Sequence, residues 1–408
     1  MLPSPALAEP ARIDALDGVR GIAILLVVLM HALFFGVPLP GAEIIDAGAL
    51  YPRLAALGWC GVDVFFVLSG FLITGILLRS KGAPRYFRNF YARRSLRIFP
   101  LYYAVIVLLL FVLERPPSTS SEKASYLLYY QNVRYALWGE QAFDPARVIT
   151  WSLAIEEQFY LVWPAVVWFA SRAWLVRICW MAIVGAIALR FVLLAGGLHA
   201  THFLTPCRLD TLAAGSLMAV VGSPSLMVGR LLVAVGAACL LATATLTGSS
   251  LPESPAMQRY GLVGALAFAV GVLVCARGSG WFPRVCSWGL LRSLGKYSYC
   301  IYLVHFLVID GLARTSYGSL PAGLQQWLVA NVSTTWLVLA FTTSCLVLSW
   351  AVAFTSWHLF EKWFLGLKRH FATVGAPSEA GLRPALTTHP PVGSNPAENG
   401  NADRNRRP

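Results

Sequence analysis

The sequence predicts an all-α bundle of about ten transmembrane helices, and three observations predict it. Of the 408 residues, 57% are hydrophobic and only 12% charged, and the mean hydropathy is +0.63. That balance belongs to membrane spans rather than to a soluble domain of this length. Apolar stretches recur at about 20 residues each, the length that crosses a hydrocarbon core of about 30 Å. The net charge of +13 is carried in short basic runs between those stretches. Such a distribution follows the positive-inside rule and argues against nucleic acid as a partner.

Taken in order, spans are expected near 20 to 38, 57 to 78, 98 to 114, 149 to 171, 175 to 195, 209 to 222, 230 to 248, 259 to 276, 297 to 314 and 334 to 358. The connection between the second and third, RSKGAPRYFRNFYARRSLRIFP, holds Arg79, Lys81, Arg85, Arg88, Arg93, Arg94 and Arg97 with no acid. It reads as a cytoplasmic loop. An even number of spans then puts both termini in the cytoplasm, together with Arg277, Arg284, Arg292, Lys296, Lys362, Lys368 and Arg369. Segments 115 to 148 and 315 to 333, poorer in bases or mixing them with acids, fall outside.

Residues 1 to 15 lack a basic n-region followed by a cleavable h-region, so they read as a cytoplasmic segment ahead of an uncleaved anchor. The membrane domain is expected over 16 to 365. The stretch from 366 to 408, rich in Pro, Gly, Asn and Ala, reads as a disordered cytoplasmic tail. No internal repeat stands out, and no matched pair of broken spans of the kind that repeat-built transporters show. The 8 Cys form no CxxC pairing and mostly lie in apolar segments as small buried hydrophobes. Cys60 and Cys207 fall near outer span ends; a disulfide between them is the less favoured alternative, because sequence gives no distance.

The first span, LDGVRGIAILLVVLMHALFFG, carries Arg20 at one end and His31 well inside. On an α-helix the two stand about 16.5 Å apart along the axis and about three full turns around it, so they share a face. An ionisable group at that depth is a functional candidate by default; the alternative is a histidine that pins helix packing. A guanidinium at the cytoplasmic edge with an imidazole above it suits a long ligand with a phosphate head and a reactive end, such as acyl-coenzyme A. In the fourth span, TWSLAIEEQFYLVWP, Glu156 and Glu157 differ by about 100° around the helix. At most one of them faces the same partner as Ser152, and spacing leaves open which. A carboxylate at the depth of His31 could orient the imidazole and raise its basicity, or pair with a structural Arg.

In the second span, GWCGVDVFFVLSGFLITG, Asp63 lies about one and a half turns inside. Gly70 suits close helix approach, and Ser69 lacks the GxSxG elbow of a serine nucleophile. In CRLDTLAAGSLMA, Arg208 and Asp210 sit at the outer mouth of the sixth span, either as an ion pair or, with Asp63, as contacts for a polar acceptor. In RRSLR, Arg94 and Arg97 are three apart on one helical face. They serve as a topology signal and lipid headgroup contact, as a phosphate clamp, or as both. His305 in KYSYCIYLVHFLV is a secondary candidate. No P-loop, Rossmann glycine motif, HExxH or Cys/His zinc spacing is present, so neither a metal nor a hydride-carrying nucleotide is expected.

The blocks LDGVRGIAILLVVLMHA, GVDVFFVLSGFLIT, FYARRSLRIFPLYY, TWSLAIEEQFYLVWP, RLDTLAAG and LGKYSYCIYLVHF, in this order, resemble the signature blocks of the acyltransferase 3 family over about residues 13 to 365. The resemblance implies a bacterial inner-membrane O-acyltransferase. Such an enzyme moves an acyl group, commonly acetyl, from cytoplasmic acyl-coenzyme A to a hydroxyl of a surface glycan, lipid-linked glycan or secreted compound. The family's Arg and His fall on Arg20 and His31, its two-Arg motif on Arg94 and Arg97, and its acidic position on Glu156 or Glu157, with Glu156 preferred. Many such proteins carry a fused extracytoplasmic hydrolase-like domain. A chain with only a short tail is expected to acylate its acceptor directly or through a separate partner.

Joined, these readings place Arg20, Arg94 and Arg97 on the donor phosphates, His31 as general base, Glu156 as its orienter, and Asp63, Arg208 and Asp210 at the acceptor. A proton-coupled exporter or flippase would also need His and Glu at mid-membrane. The lack of repeats and the Arg-to-His spacing speak against it.

Overall fold

The computed structural model describes residues 14–35, 55–113, 118–138, 144–317, 320–332 and 334–371. The N-terminal segment up to residue 13, most of the connection 39 to 56 between the first two expected spans, and the tail from residue 372 lie outside them.

Among the described residues the long helices number ten: α1 (Asp14–Phe35), α2 (Cys60–Ser80), α3 (Tyr86–Val107), α4 (Trp151–Phe169), α5 (Arg172–Ala195), α6 (Thr205–Val221), α7 (Leu226–Thr247), α8 (Leu262–Arg277), α9 (Gly289–Leu312) and α10 (Thr334–Ser356). No strand occurs among the described residues. Seven helical segments, built on α1, α2, α3, α5, α7, α8 and α10, are long and apolar enough to cross a membrane on those grounds alone. The remaining three, α4, α6 and α9, carry polar residues that the surrounding helices cover, including Asp210, Ser152 and His305. Large side chains such as Leu161, Met181, Val192, Met227 and Leu246 point outward unpartnered, as lipid-facing residues do. The protein is a polytopic all-α membrane protein.

Two local features differ from the sequence expectation. The basic stretch read as a loop is mostly helix: α3 begins at Tyr86, so Arg88, Arg93, Arg94 and Arg97 ride its first turns. Only residues 81–85 turn the chain, with Arg85 in the left-handed region at φ 59°. The physical reason is that Arg is a good helix former and that an apolar stripe of Tyr86, Phe90 and Ile98 is available for burial. The first helix likewise starts at Asp14, earlier than expected, because Asp14 and Asp17 suit the positive end of its dipole and Asp14 pairs with Arg292 at 2.8 Å. At the other end of the domain, helical structure continues past residue 365 through the short turn Leu367–His370.

Lys81 donates to the carbonyl of Ala170 at 2.7 Å, and Arg172 donates to that of Val220. This joins the ends of α2, α4 and α6 to the start of α5. Pro164 sits within α4. Around it, the Tyr86 and Tyr91 hydroxyls donate to the carbonyls of Pro164 at 3.2 Å and Leu161 at 2.7 Å, so α3 is pinned along α4.

The most extensive neighbours are α1 with α9, α7 with α8, and α2 with α6. The first pair runs parallel, and glycine is required there. A Cβ on Gly21 would stand 2.1 Å from the Leu291 carbonyl oxygen, and one on Gly295 would stand 1.7 Å from that of Asp17. Small residues let membrane helices approach this closely. Ten residues further along each helix, the same register brings His31 beside His305.

Candidate active site

Within the bundle lies a cavity of about 90 Å³. α1 contributes Arg20, α2 Ser69, α3 Arg94 and Arg97, α4 Ser152 and Glu156, and α9 Tyr299 and Tyr302. A second cavity of about 170 Å³ opens below it, lined by Arg93, Asn89 and Lys368, and it shares Arg94 and Arg97 with the first. The two arginines expected to clamp phosphate therefore form the wall common to both spaces. Their spacing of three residues on α3 puts them on one face, as the sequence implied.

Each cation is differently held. Arg20 contacts Asp17 one turn earlier at 3.1 Å, with a quarter of its side chain exposed. The guanidinium of Arg94 lies over the Tyr160 ring, 3.9 Å from its centroid. Arg94 Nε is buried and meets no hydrogen-bond acceptor among the described residues. Ser69 donates to Glu156 Oε1 at 2.5 Å. Glu156 faces the cavity and Glu157 does not; Glu157 Oε1 is buried without a hydrogen-bond partner among the described residues. Ser152 Oγ and the Tyr302 hydroxyl are 2.7 Å apart, and that hydroxyl also donates to the Ile149 carbonyl at 2.8 Å.

His31 lines neither cavity; it stands beside His305, one helical turn beyond Tyr302 on α9. Its Nδ1 lies 2.9 Å from Nε2 of His305, and its ring packs on Phe306 at 4.5 Å between centroids. A second histidine is thus a polar partner of His31, and Glu156 hydrogen-bonds Ser69. The physical reason lies in helix phase: α4 turns Glu156 toward α2, while the parallel α1 and α9 keep their own polar residues together.

Asp63, Arg208 and Asp210, expected at the acceptor, line neither cavity. Arg208 pairs with Asp63 at 2.6 Å and Arg190 with Asp210 at 2.7 Å, all four being at most 2% exposed. An Arg208–Asp210 pair, one of the two alternatives the sequence left open, is not the one formed. A charge at this depth needs an opposite charge on another helix, and these pairs tie α6 to α2 and α5. Arg190 was legible as an Arg inside an apolar span. Cys60 and Cys207 are both buried and free.

A cavity lined by cationic side chains thus lies inside a multi-pass membrane protein. The chain belongs to the acyltransferase 3 family, whose acyltransferase domain it matches over residues 13–354. It is 27% identical over 325 residues to the peptidoglycan O-acetyltransferase OatA of Listeria monocytogenes, covering 73% of this chain and 49% of that protein. To the O-acetyltransferase OatA of Staphylococcus aureus strain NCTC 8325 it is 28% identical over 336 residues, covering 74% and 51%. The chain spans about half the length of these curated relatives. No solved structure matches it.

Proposed function

We propose that the protein is a bacterial inner-membrane O-acyltransferase. It moves an acyl group, acetyl in the first instance, from cytoplasmic acyl-coenzyme A to a hydroxyl of a cell-envelope glycan such as peptidoglycan. The observation that carries the reading is the shared wall of Arg94 and Arg97, with Arg20 beside them, between a basic lower cavity and the His31 helix. An unsatisfied buried guanidinium nitrogen on Arg94 fits a phosphate oxygen, which Arg meets in a fork. Arg93 and Lys368 add positive charge below.

In this reading the arginines hold the donor phosphates, and the upper cavity takes the pantetheine arm past Ser152 and Tyr302. His31 accepts the proton of the acceptor hydroxyl as that oxygen attacks the thioester carbonyl. Glu156, hydrogen-bonded to Ser69, balances the arginine charge. Asp63, Arg208 and Asp210 hold the framework that shapes the acceptor side. The names of the relatives and the family membership support acetyl transfer to a glycan.

The test is transfer of labelled acetyl from acetyl-coenzyme A to a peptidoglycan-derived acceptor by detergent-purified protein with no membrane gradient. Gradient-free transfer separates this reading from an exporter. His31→Ala should lower turnover by about 10² to 10⁴-fold, the usual range for general-base help, at unchanged melting temperature. A variant with wild-type turnover removes His31 from the chemistry. The Ser69–Glu156 contact inside the cavity favours a second reading, in which Ser69 carries the acyl group before the acceptor does. It requires labelled protein in the same assay, lost in Ser69→Ala.

A further inference from the structure

His305 lies 274 residues from His31 in sequence, and its ring is fully buried. Its Nδ1 is 2.7 Å from the Tyr302 carbonyl oxygen and 3.2 Å from that of Ile301. Carbonyl oxygens only accept, so Nδ1 of His305 carries a proton. In a neutral imidazole the other nitrogen, Nε2, then has the lone pair. That nitrogen faces Nδ1 of His31 at 2.9 Å. Since an acceptor there requires a donor opposite, the proton of His31 sits on its Nδ1. The ring planes lie within 19° of each other with centroids 5.1 Å apart, so the rings meet edge to edge and the N–H points along the line to the lone pair.

We propose that His305 is the positioning residue of His31: it fixes the Nδ1–H tautomer, so that Nε2 of His31 is the atom that takes the acceptor's proton. This deepens the acyltransferase reading and rests on it only for the role of His31. A carboxylate usually holds this position behind a catalytic histidine, and here a neutral imidazole anchored on helix carbonyls does so.

The step balances. The Nε2 lone pair of His31 takes the hydroxyl proton while the acceptor oxygen bonds to the acyl carbon. His31 is then a cation whose Nδ1–H still donates to His305. As the carbon–sulfur bond breaks, Nε2 returns the proton to the leaving thiolate, and both histidines end neutral. Gly21 and Gly295 are part of the device, because only their close approach keeps α1 and α9 in this register.

The test uses full-length protein, ¹⁵N-labelled at histidine and held in lipid nanodiscs, with the His31 signal assigned by its loss in His31→Ala. The expected wild-type spectrum shows His31 protonated on Nδ1; a proton on Nε2 overturns the proposal before any turnover is measured. His305→Leu, which offers no acceptor, should release His31 to the Nε2–H form. It should also lower kcat at least 10-fold, and up to about the 10⁴-fold seen when a base loses the group that fixes its tautomer, with KM for acetyl-coenzyme A unchanged. His305→Gln can place its amide oxygen near the lost Nε2 and should keep the wild-type tautomer and most of kcat. A His305→Leu protein with wild-type tautomer or wild-type kcat overturns the proposal, as does a folded His305→Gln protein no better than the Leu variant. Wild-type transfer by His31→Ala would instead sink the base role of His31 while leaving the tautomer result standing.

Discussion

Two charged regions lie inside this membrane bundle, and they are built on opposite rules. Around α6, two arginines meet two aspartates, and all four are nearly or wholly excluded from solvent. Around the cavities, Arg20, Arg94 and Arg97 stand with Arg93 and Lys368 nearby; Glu156 is the carboxylate lining the upper cavity, and Asp17, Glu157 and Glu361 lie within electrostatic reach of the arginines. The first region is neutral by itself, although Asp63 Oδ2 and two nitrogens each of Arg190 and Arg208 are buried without a hydrogen-bond partner among the described residues. The second keeps an excess of positive charge, and a cavity is left where an anion would complete it. Charge buried in a membrane core is costly wherever it is unbalanced, so the imbalance marks the ligand site and the balance marks the scaffold.

Breaking the balanced region should have the largest effect. Replacing one partner, as in Arg208→Leu, leaves Asp63 charged and buried and should cost about 3 to 5 kcal/mol of stability, read as a large fall in melting temperature or as loss of folded protein. Replacing both, as in Asp63→Leu with Arg208→Met, should recover most of it, since apolar residues of similar volume substitute well for a buried ion pair. The recovered protein should keep its KM for the acceptor. A raised acceptor KM in that double variant would return Asp63 and Arg208 to the acceptor-binding role that the sequence suggested.

The unbalanced region should respond the other way. Arg94→Ala or Arg97→Ala removes a hydrogen bond to a charged group, worth about 1.5 to 3 kcal/mol. Each should raise KM for acetyl-coenzyme A by roughly 10- to 100-fold, since each 1.4 kcal/mol is a factor of ten, while in Arg97→Ala, which takes a cation from beside Arg20 and Arg94, the melting temperature holds or rises as repulsion is relieved. A substantial loss of stability with unchanged KM would make these arginines scaffold and erase the distinction between the two regions.

The contrast also explains what was legible in the sequence. The spans followed from hydropathy because a bilayer imposes one length on every crossing helix, and Arg94 with Arg97 followed from spacing along a single helix. What spacing cannot give is the partner on another helix. Closeness in sequence offers Asp210 as a partner for Arg208, yet Arg208 reaches Asp63 on α2. Glu156 was assigned to His31 because both lie near mid-membrane, yet the relative rotation of α4 and α9 gives Glu156 to Ser69 and gives His31 to His305. That rotation is set by close packing at residues such as Gly21 and Gly295, whose effect on distant side chains no local pattern records.

A finer probe of the same contrast concerns Tyr160, whose ring lies under the Arg94 guanidinium. If Arg94 is kept in the core by a ligand it awaits rather than by a fixed carboxylate, something neutral must hold it meanwhile, and an aromatic face does so without cancelling its charge. Such a contact is worth about 0.5 to 2 kcal/mol depending on desolvation. Tyr160→Phe preserves the face and should leave KM for acetyl-coenzyme A within about twofold, because it is the ring face that lies against the guanidinium. Tyr160→Leu removes the face and should raise KM by up to roughly 30-fold, the factor that corresponds to 2 kcal/mol. An equal rise in both variants would transfer the role from the ring to the hydroxyl, and Arg94 would then be held by a polar contact, as the arginines of the balanced region are.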